Sequence, residues 1–271
     1  MTDTFTWDDE NPPYNPITLL DGKEYNKYEI IQKMDDDSFY YGFLGKNAFS
    51  SSAIKPLLKG RQAYNSSLTK KMKETAALRD GKLIHTLLLE EDKFQDKYAL
   101  SEYSRTTKKY KELVTEFPEK EVVLTSEYHR AKWHADTFRK NEEAAPFLTN
   151  GFAEVPTIGY IFDYPFRAKA DYLKPGHIID LKTTADLGDD DKCTKWCNGA
   201  KWSFHYDIQA FIYTTLFSCD KFTFLILEKE TGEVAIIDAT PEFIESGKRK
   251  LLRALDNYKK DPKKSVRRSI I

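Results

Sequence analysis

What most limits the fold is the change of character after Gly151. Ala153 to Phe162, Phe166 to Leu173, His177 to Lys182 and Phe222 to Leu227 are short runs rich in aromatic and β-branched residues. Turn signals such as Asp163-Tyr164-Pro165 and Lys174-Pro175-Gly176 divide them, so each reads as a strand. A fifth run, Val234 to Ile237, follows Thr231-Gly232 closely enough to form a hairpin with the strand ending near Lys229. Lys192 to Phe217 predicts two short helices broken near Gly199, and Pro241 to Tyr258 one amphipathic helix capped by Thr240. Helices, three strands, a helix, two strands and a helix specify an α/β (α+β) fold, a central mixed β-sheet flanked by helices, with no internal repeat.

Upstream, a serine of Ser50-Ser51-Ser52 can cap a helix through Ile54, Leu57 and Leu58, with Pro56 in its first turn. From Thr75 to Glu90, the residues Leu78, Leu83, Ile84, Leu87 and Leu88 recur at helical spacing and predict one deeply buried face, with His85 inside the helix. Residues 106–117 and 126–145 are further helices, the second capped by Ser126 or Thr125. From Met1 to about Tyr40, Asn-Pro-Pro, Asn-Pro and Asp35-Asp36-Asp37 interrupt any periodicity. The expected organisation is an acidic arm or extension over 1–45 and a single domain over 46–271.

No run approaches the roughly 20 apolar residues of a membrane helix, and Met1 to Glu10 lacks the basic start and apolar stretch of a signal peptide. The expectation is a cytoplasmic protein with no membrane partner. Cys193, Cys197 and Cys219 are too few for a disulfide framework and read as reduced thiols. Cys193 and Cys197, one helical turn apart, either pack a helix or share a metal with an outside ligand. A net charge of −1 argues mildly against a nucleic-acid binder, but its distribution argues otherwise. Residues 1–40 hold ten acids against three lysines, whereas Lys55, Lys59, Arg61, Lys70, Lys71, Lys73, Arg79 and Lys82 share a stretch with only Glu74 and Asp80. A second basic cluster runs from Lys259 through Lys260, Lys263, Lys264 and Arg267 to Arg268. Clustered cations recruit phosphate backbones by releasing counterions; a solvated helix face and a frayed tail are the alternative.

Residues two apart on a strand share a face, so Asp180 and Lys182 point the same way in Ile178-Ile179-Asp180-Leu181-Lys182-Thr183. Arg167, Lys169 and Asp171 share a face of the preceding strand, and the short turn at Lys174-Pro175-Gly176 makes the two strands antiparallel neighbours. Asp171 can therefore approach Asp180. Two carboxylates gathered beside a lysine are costly unless a cation neutralises them, and oxygen ligation suits Mg2+, with Mn2+ equally acceptable. As an isolated tripeptide, Asp-x-Lys is a surface ion pair; its context changes the reading.

That context carries a family likeness. Asp171, nine residues before Asp180-Leu181-Lys182, resembles the core motif of PD-(D/E)XK nucleases, with Ala170 in place of the usual proline. Gly81-Lys82-Leu83-Ile84-His85-Thr86-Leu87-Leu88-Leu89-Glu90 resembles the helix whose histidine joins the metal site in the RecB-like branch. Glu154 resembles an additional acid of that site, and Gln209-Ala210-Phe211-Ile212-Tyr213 its Gln-x-x-x-Tyr motif. The likeness runs from about Ser50 to Phe217 and is sharpest to the RecE type of phage recombination exonuclease, exonuclease VIII.

The resemblance implies a restriction-endonuclease-like core that hydrolyses DNA by in-line attack of an activated water. It places Asp171, Asp180, the Leu181 carbonyl and His85 on the metal, with Lys182 assisting the water and Glu154 on a metal or orienting a water. Gln209 and Tyr213 would donate to a phosphodiester oxygen. Arg167 and Lys169 would contact phosphate, or else hold the acids in a salt bridge when metal is absent. Trp196 and Trp202 either stack on a base of an unwound end or pack the core, and His205 and Tyr206 can help fix a DNA strand.

The RecE type further implies 5′-to-3′ exonuclease action on double-stranded DNA ends, 3′ overhangs passed to a single-strand annealing protein, and a homo-oligomeric ring in a bacterial, phage-encoded setting. Such a ring would put the basic segments 55–82 and 259–268 on the channel wall and the acidic arm outside. A structure-specific or restriction-type endonuclease of the same fold and a catalytically silent DNA-binding module are the alternatives.

Overall fold

The computed structural model describes residues 14–69 and 75–260. The first acids of the chain, Lys70, Lys71, Lys73 and Glu74, and the tail from Lys263 to Arg268 lie outside the described residues.

A short antiparallel pair, β1 (Pro16–Thr18) and β2 (Glu24–Asn26), leads into α1 (Lys27–Lys33), a π-helical turn over Ser38–Phe43 and α2 (Leu44–Asn47). From residue 14 onward the expected irregular extension is instead folded. Ile17, Leu19, Ile30, Ile31, Met34, Tyr40, Leu44 and Ala48 form a cluster against Ile158 of the main sheet. Their burial comes from elements too short to show periodicity in sequence.

Ser50 caps α3 (Ser51–Ile54), accepting the Ala53 N–H at 3.2 Å. Pro56 lies beyond the first turn of this helix, not within it. It has no N–H to continue the α-helical ladder, and the chain tightens into a 3-10 turn over Lys55–Leu58 before α4 (Arg61–Thr69).

Thr75 caps α5 (Ala76–Leu89), the helix expected from the apolar spacing. The short α6 (Phe94–Lys97), β3 (Tyr98–Ser101), α7 (Lys108–Glu116) and β4 (Glu121–Leu124) follow, with β3 and β4 parallel. The next helix, α8 (Thr125–Lys140), is not capped by Thr125 or Ser126: the Glu127 carboxylate reaches back to the Leu124 N–H at 3.0 Å, and Arg105 fixes that carboxylate from the other side. It stops five residues early because the Asn141 side chain accepts the N–H groups of Glu143 and Ala144 and starts a new turn.

The main sheet comprises β5 (Phe152–Ile161), β6 (Tyr164–Lys174), β7 (His177–Thr184), β8 (Lys221–Glu228) and β9 (Val234–Asp238), in that spatial order. All neighbours are antiparallel except β7 and β8, which run parallel. The crossover between them carries α9 (Thr194–Asn198), a π-helical turn over Gly199–Ser203 and α10 (Tyr206–Phe217). The first helix ends at Gly199, as expected, and a left-handed His205 at φ 52° separates the π-helical turn from α10. Thr240 caps α11 (Pro241–Lys259), as expected.

Alternation sorts the two faces. Ile178, Phe222, Phe224 and Ile226 meet Ile208, Ile212, Leu251 and Ala254 of α10 and α11. On the opposite face, Ile179, Leu181 and Leu225 pack with Phe138, and Leu227 packs with Leu83, Ile84 and Leu87 of α5 and Ala131 and Ala135 of α8. β7 and β8 are thus covered on both sides, which is why their sequences are nearly continuous apolar runs.

Candidate active site

The site forms where β6 and β7 part. Their pairing covers only Tyr172–Ile179, Leu173–Ile178 and Lys174–His177. One step further the Asp171 carboxylate enters the gap and its Oδ2 accepts the Leu181 N–H at 2.8 Å, a bond that a continued ladder would have given to backbone. Beyond the split, Phe49 donates to the Pro165 carbonyl and accepts from the Arg167 N–H, filling the edge of β6 that β7 vacates.

Alternation places Asp180 and Lys182 together as expected, and the ammonium pairs directly with Asp180 Oδ2. Asp180 is fully buried, and its Oδ1 accepts from Gln209 Nε2 at 2.6 Å. Tyr213, one turn along α10, is likewise buried, so the Gln-x-x-x-Tyr pair lies in the interior against the strand of Asp180, with the Gln209 amide on that carboxylate. Lys182 Nζ also lies 3.3 Å from the Leu181 carbonyl and 5.0 Å from the Tyr206 ring centroid.

His85 and Glu154 complete the cluster with Asp171. One ligand atom from each of these three residues lies within 4.8 Å of the others. His85 Nε2 is 3.1 Å from the Leu181 carbonyl, which makes it the protonated nitrogen and leaves Nδ1, 3.8 Å from Asp171 Oδ2, as a lone pair facing the carboxylates. Burial, with Lys182 nearby, pushes the imidazole down to about 4, so it is neutral at physiological pH. The Leu181 carbonyl is thus committed to His85 and Lys182, where sequence had it on the metal.

Glu154 sits opposite Asp171, between the pairs Ala153–Tyr172 and Val155–Ala170, in a left-handed conformation at φ 52°. A non-glycine residue held there inside a strand marks a kink that redirects its side chain. Burial and the charge of Asp171 push the Glu154 carboxyl up to about 8. Burial raises Asp171 as well, and burial together with Asp171 lifts Asp180 to about 6 even against Lys182. Burial opposes the charge on Lys182, but the Asp180 and Asp171 carboxylates outweigh it and hold the ammonium above its ordinary value. A neutral imidazole and two carboxylates that resist being ionised together form a donor set fit for a divalent cation.

Arg167 departs from its expected role. Its guanidinium is 4% exposed and donates to the carbonyls of Leu44 and Ala48 at 2.7 and 2.6 Å, with Tyr40 stacked 4.8 Å away. It fastens the N-terminal segment to the sheet and is not placed to touch DNA. Lys169 lies 4.0 Å from Asp35 and 5.2 Å from the Tyr40 ring, on the side of Glu154. The acidic segment therefore reaches the rim of the site at Asp35.

Trp196 is core, packed 5.4 Å from Phe224, while Trp202 is exposed. Cys197 points its thiol at the Lys192 carbonyl, and Cys193 stands at the start of α9. Among the described residues of the basic stretch 55–82, the cations face different partners. Arg61 stacks on Tyr258 at 3.8 Å, Arg79 faces Glu127, and Lys82 faces Glu121. Lys55 does reach the site: its ammonium lies 5.1 Å from the Tyr206 ring that Lys182 also approaches, and burial and Lys182 push it down to about 8. Sequence placed Lys55 only in a general basic cluster, since a turn residue before proline carries no pattern that aims its side chain.

A mixed sheet split at an acidic residue, with Asp-x-Lys on the adjacent strand, defines the PD-(D/E)XK nuclease fold. A family model described as a PDDEXK-like domain of unknown function (DUF3799) matches residues 50–267, and the chain belongs to that family. The resemblance read from the sequence motifs is borne out at this level. Among solved structures, a provisionally assigned exonuclease from Eubacterium rectale is similar with a TM-score of 0.58 and 16% identity, over 87% of this chain and 95% of that one. A phage-related exonuclease from Haemophilus somnus 129PT matches with a TM-score of 0.33 and 15% identity, over 78% of this chain and 93% of that one. No curated protein matches the chain. No described helix is long and apolar enough to cross a membrane.

Proposed function

We propose that this protein is a metal-dependent deoxyribonuclease that digests linear double-stranded DNA from its 5′ ends, leaving 3′ overhangs for recombination. The observation that carries the reading is the convergence of His85, Glu154 and Asp171 within 4.8 Å, beside the Asp180–Lys182 pair at the sheet split. Mg2+ or Mn2+ held by these three residues would supply an acidified water and positive charge against the phosphoryl group.

The chain's own groups divide the remaining work. The Leu181 N–H fixes Asp171, and the Leu181 carbonyl fixes the tautomer of His85. Gln209 and Lys182 hold the two oxygens of Asp180. Because its carboxylate neighbours keep Lys182 protonated, it serves as a fixed positive charge rather than as a base. Lys55 adds a second cation beside the Tyr206 ring.

A homo-oligomeric ring and transfer of the overhang to a single-strand annealing protein belong to the same proposal. The deciding experiment incubates end-labelled linear duplex and nicked circular duplex with magnesium. Stepwise release of 5′ nucleotides from the linear DNA, with the circle intact and no reaction in chelator, is expected. Cleavage of the circle would replace the exonuclease reading by an endonuclease, and the absence of any metal-dependent cleavage would end both.

A further inference from the structure

Beside the catalytic lysine, the polypeptide builds an aromatic surface that the mechanism above does not use. Tyr206 is anchored from below, 5.9 Å from Phe224 and 6.2 Å from Trp196 in the core. Its ring has the ammonium groups of Lys182 and Lys55 at 5.0 and 5.1 Å. Phe204 stacks on Tyr206 with centroids 5.4 Å apart and planes 16° from parallel, yet is 53% exposed. Trp202, two residues back, is 63% exposed. Three aromatic side chains thus lead from the catalytic lysine into solvent.

The local fold holds this ledge in place. The π-helical turn and the left-handed His205 turn the chain outward, and a buried network locks the corner to α11. Asp207, fully buried, pairs with Lys250 at 2.7 Å and accepts from Ser246 at 2.8 Å. Lys250 also donates to the Lys201 carbonyl and lies 3.2 Å from His205 Nδ1. Through that network the ammonium of Lys250 is set 5.0 Å from the Trp202 ring, with Lys201 at 5.2 Å.

Exposed rings beside ammonium groups match the chemistry of flat bases joined by phosphates. Stacking on an aromatic face requires a base whose own face is free, which excludes paired bases inside a duplex. We infer that Phe204, backed by Tyr206, and Trp202 form a stacking platform for the unpaired bases of the DNA strand that enters or leaves the site, with Lys201 offsetting its phosphates. This inference rests on the nuclease reading for the identity of its ligand.

The test measures binding of fluorescent oligodeoxythymidylate and of an abasic strand of equal length, in chelator, to the full chain and to its W202A/F204A variant. Both side chains are largely in solvent, and an unchanged melting temperature establishes that the variant folds. The wild type is expected to prefer the base-bearing strand by about ten- to a hundredfold, and the variant to lose most of that preference while still binding the abasic strand. A preference that survives in the variant, or none in the wild type, overturns the platform. So does a variant that keeps the preference but converts an oligomer to monomers in sedimentation, since the ledge would then be a subunit contact. Magnesium-dependent digestion by the wild type is read separately. Its absence beside intact base preference would defeat the nuclease reading alone, and its presence without base preference would defeat the platform alone.

Discussion

Replacing Gly247 by alanine should unseat the helix that carries Gln209 to Asp180. A Cβ at Gly247 would lie 1.9 Å from the Asp207 carbonyl oxygen, 2.4 Å from its carbon and 2.9 Å from the Ile208 nitrogen. A close carbon–oxygen contact is about 3.3 Å, so α10 and α11 must separate by more than about 1 Å. That movement disrupts the pairs of Asp207 with Lys250 and Ser246 and loosens Leu251, Ala254 and Leu255, all buried. Overpacking contributes about 1–3 kcal/mol and a weakened hydrogen bond to a buried charge about 1.5–3 kcal/mol, for a loss of roughly 3–5 kcal/mol. For a chain of this size the melting temperature should fall by roughly 10 °C in a calorimetric or circular-dichroism scan, and cleavage should weaken with it. Gly81 is the control. It also lies within a helix, but its added Cβ would meet only Thr183 Oγ1, at 3.5 Å. Gly81→Ala should therefore stabilise by about 0.5–1 kcal/mol. A Gly247→Ala protein that melts with the wild type would refute the described α10–α11 contact.

Gln209→Ala removes the only described side-chain amide on Asp180 Oδ1; cleavage should fall about ten- to a hundredfold, and the acid limb of the rate profile should move to higher pH. Glu154 binds its proton more tightly folded than unfolded, so in chelator its contribution to stability is complete below about pH 4.5 and is lost as pH rises through about 8. Melting temperatures over that range should fall more in the wild type than in Glu154→Gln, and a divalent cation at pH 8 should restore more in the wild type. Arg167→Met strands the Leu44 and Ala48 carbonyls, which predicts a loss of about 3 kcal/mol and faster proteolysis within residues 14–48. The salt dependence of DNA binding should not change, whereas loss of a phosphate contact would lower its slope by about one.

The parts of this architecture legible in sequence are those governed by local rules. Strand period two put Asp180 and Lys182 on one face and Leu181 on the other, and the capping preferences of serine at 50–52 and of Thr240 set two helix starts. What escaped was set by tertiary contact. The left-handed Glu154 has no glycine to announce it, and it faces Asp171 only because β5 kinks there. Arg167 looks like any basic residue on a strand until the carbonyls of the N-terminal segment arrive from more than a hundred residues away. The pattern of α10 gave Gln209 and Tyr213 a common face but not which partner that face meets, so the bond from Gln209 to Asp180 could not be told from a substrate contact. Residues 14–48 hid their core because strands of three residues and a π-helical turn are too short for a hydrophobic period.

The most direct test of the central claim is calorimetric titration of Mn2+ into the metal-free protein and its His85→Ala and Asp171→Asn variants. Binding in the wild type that weakens by more than about a hundredfold in each variant, with both still folded and both unable to cleave DNA, is the predicted result. Mn2+ affinity that is the same in all three proteins would place the ion elsewhere and contradict the site.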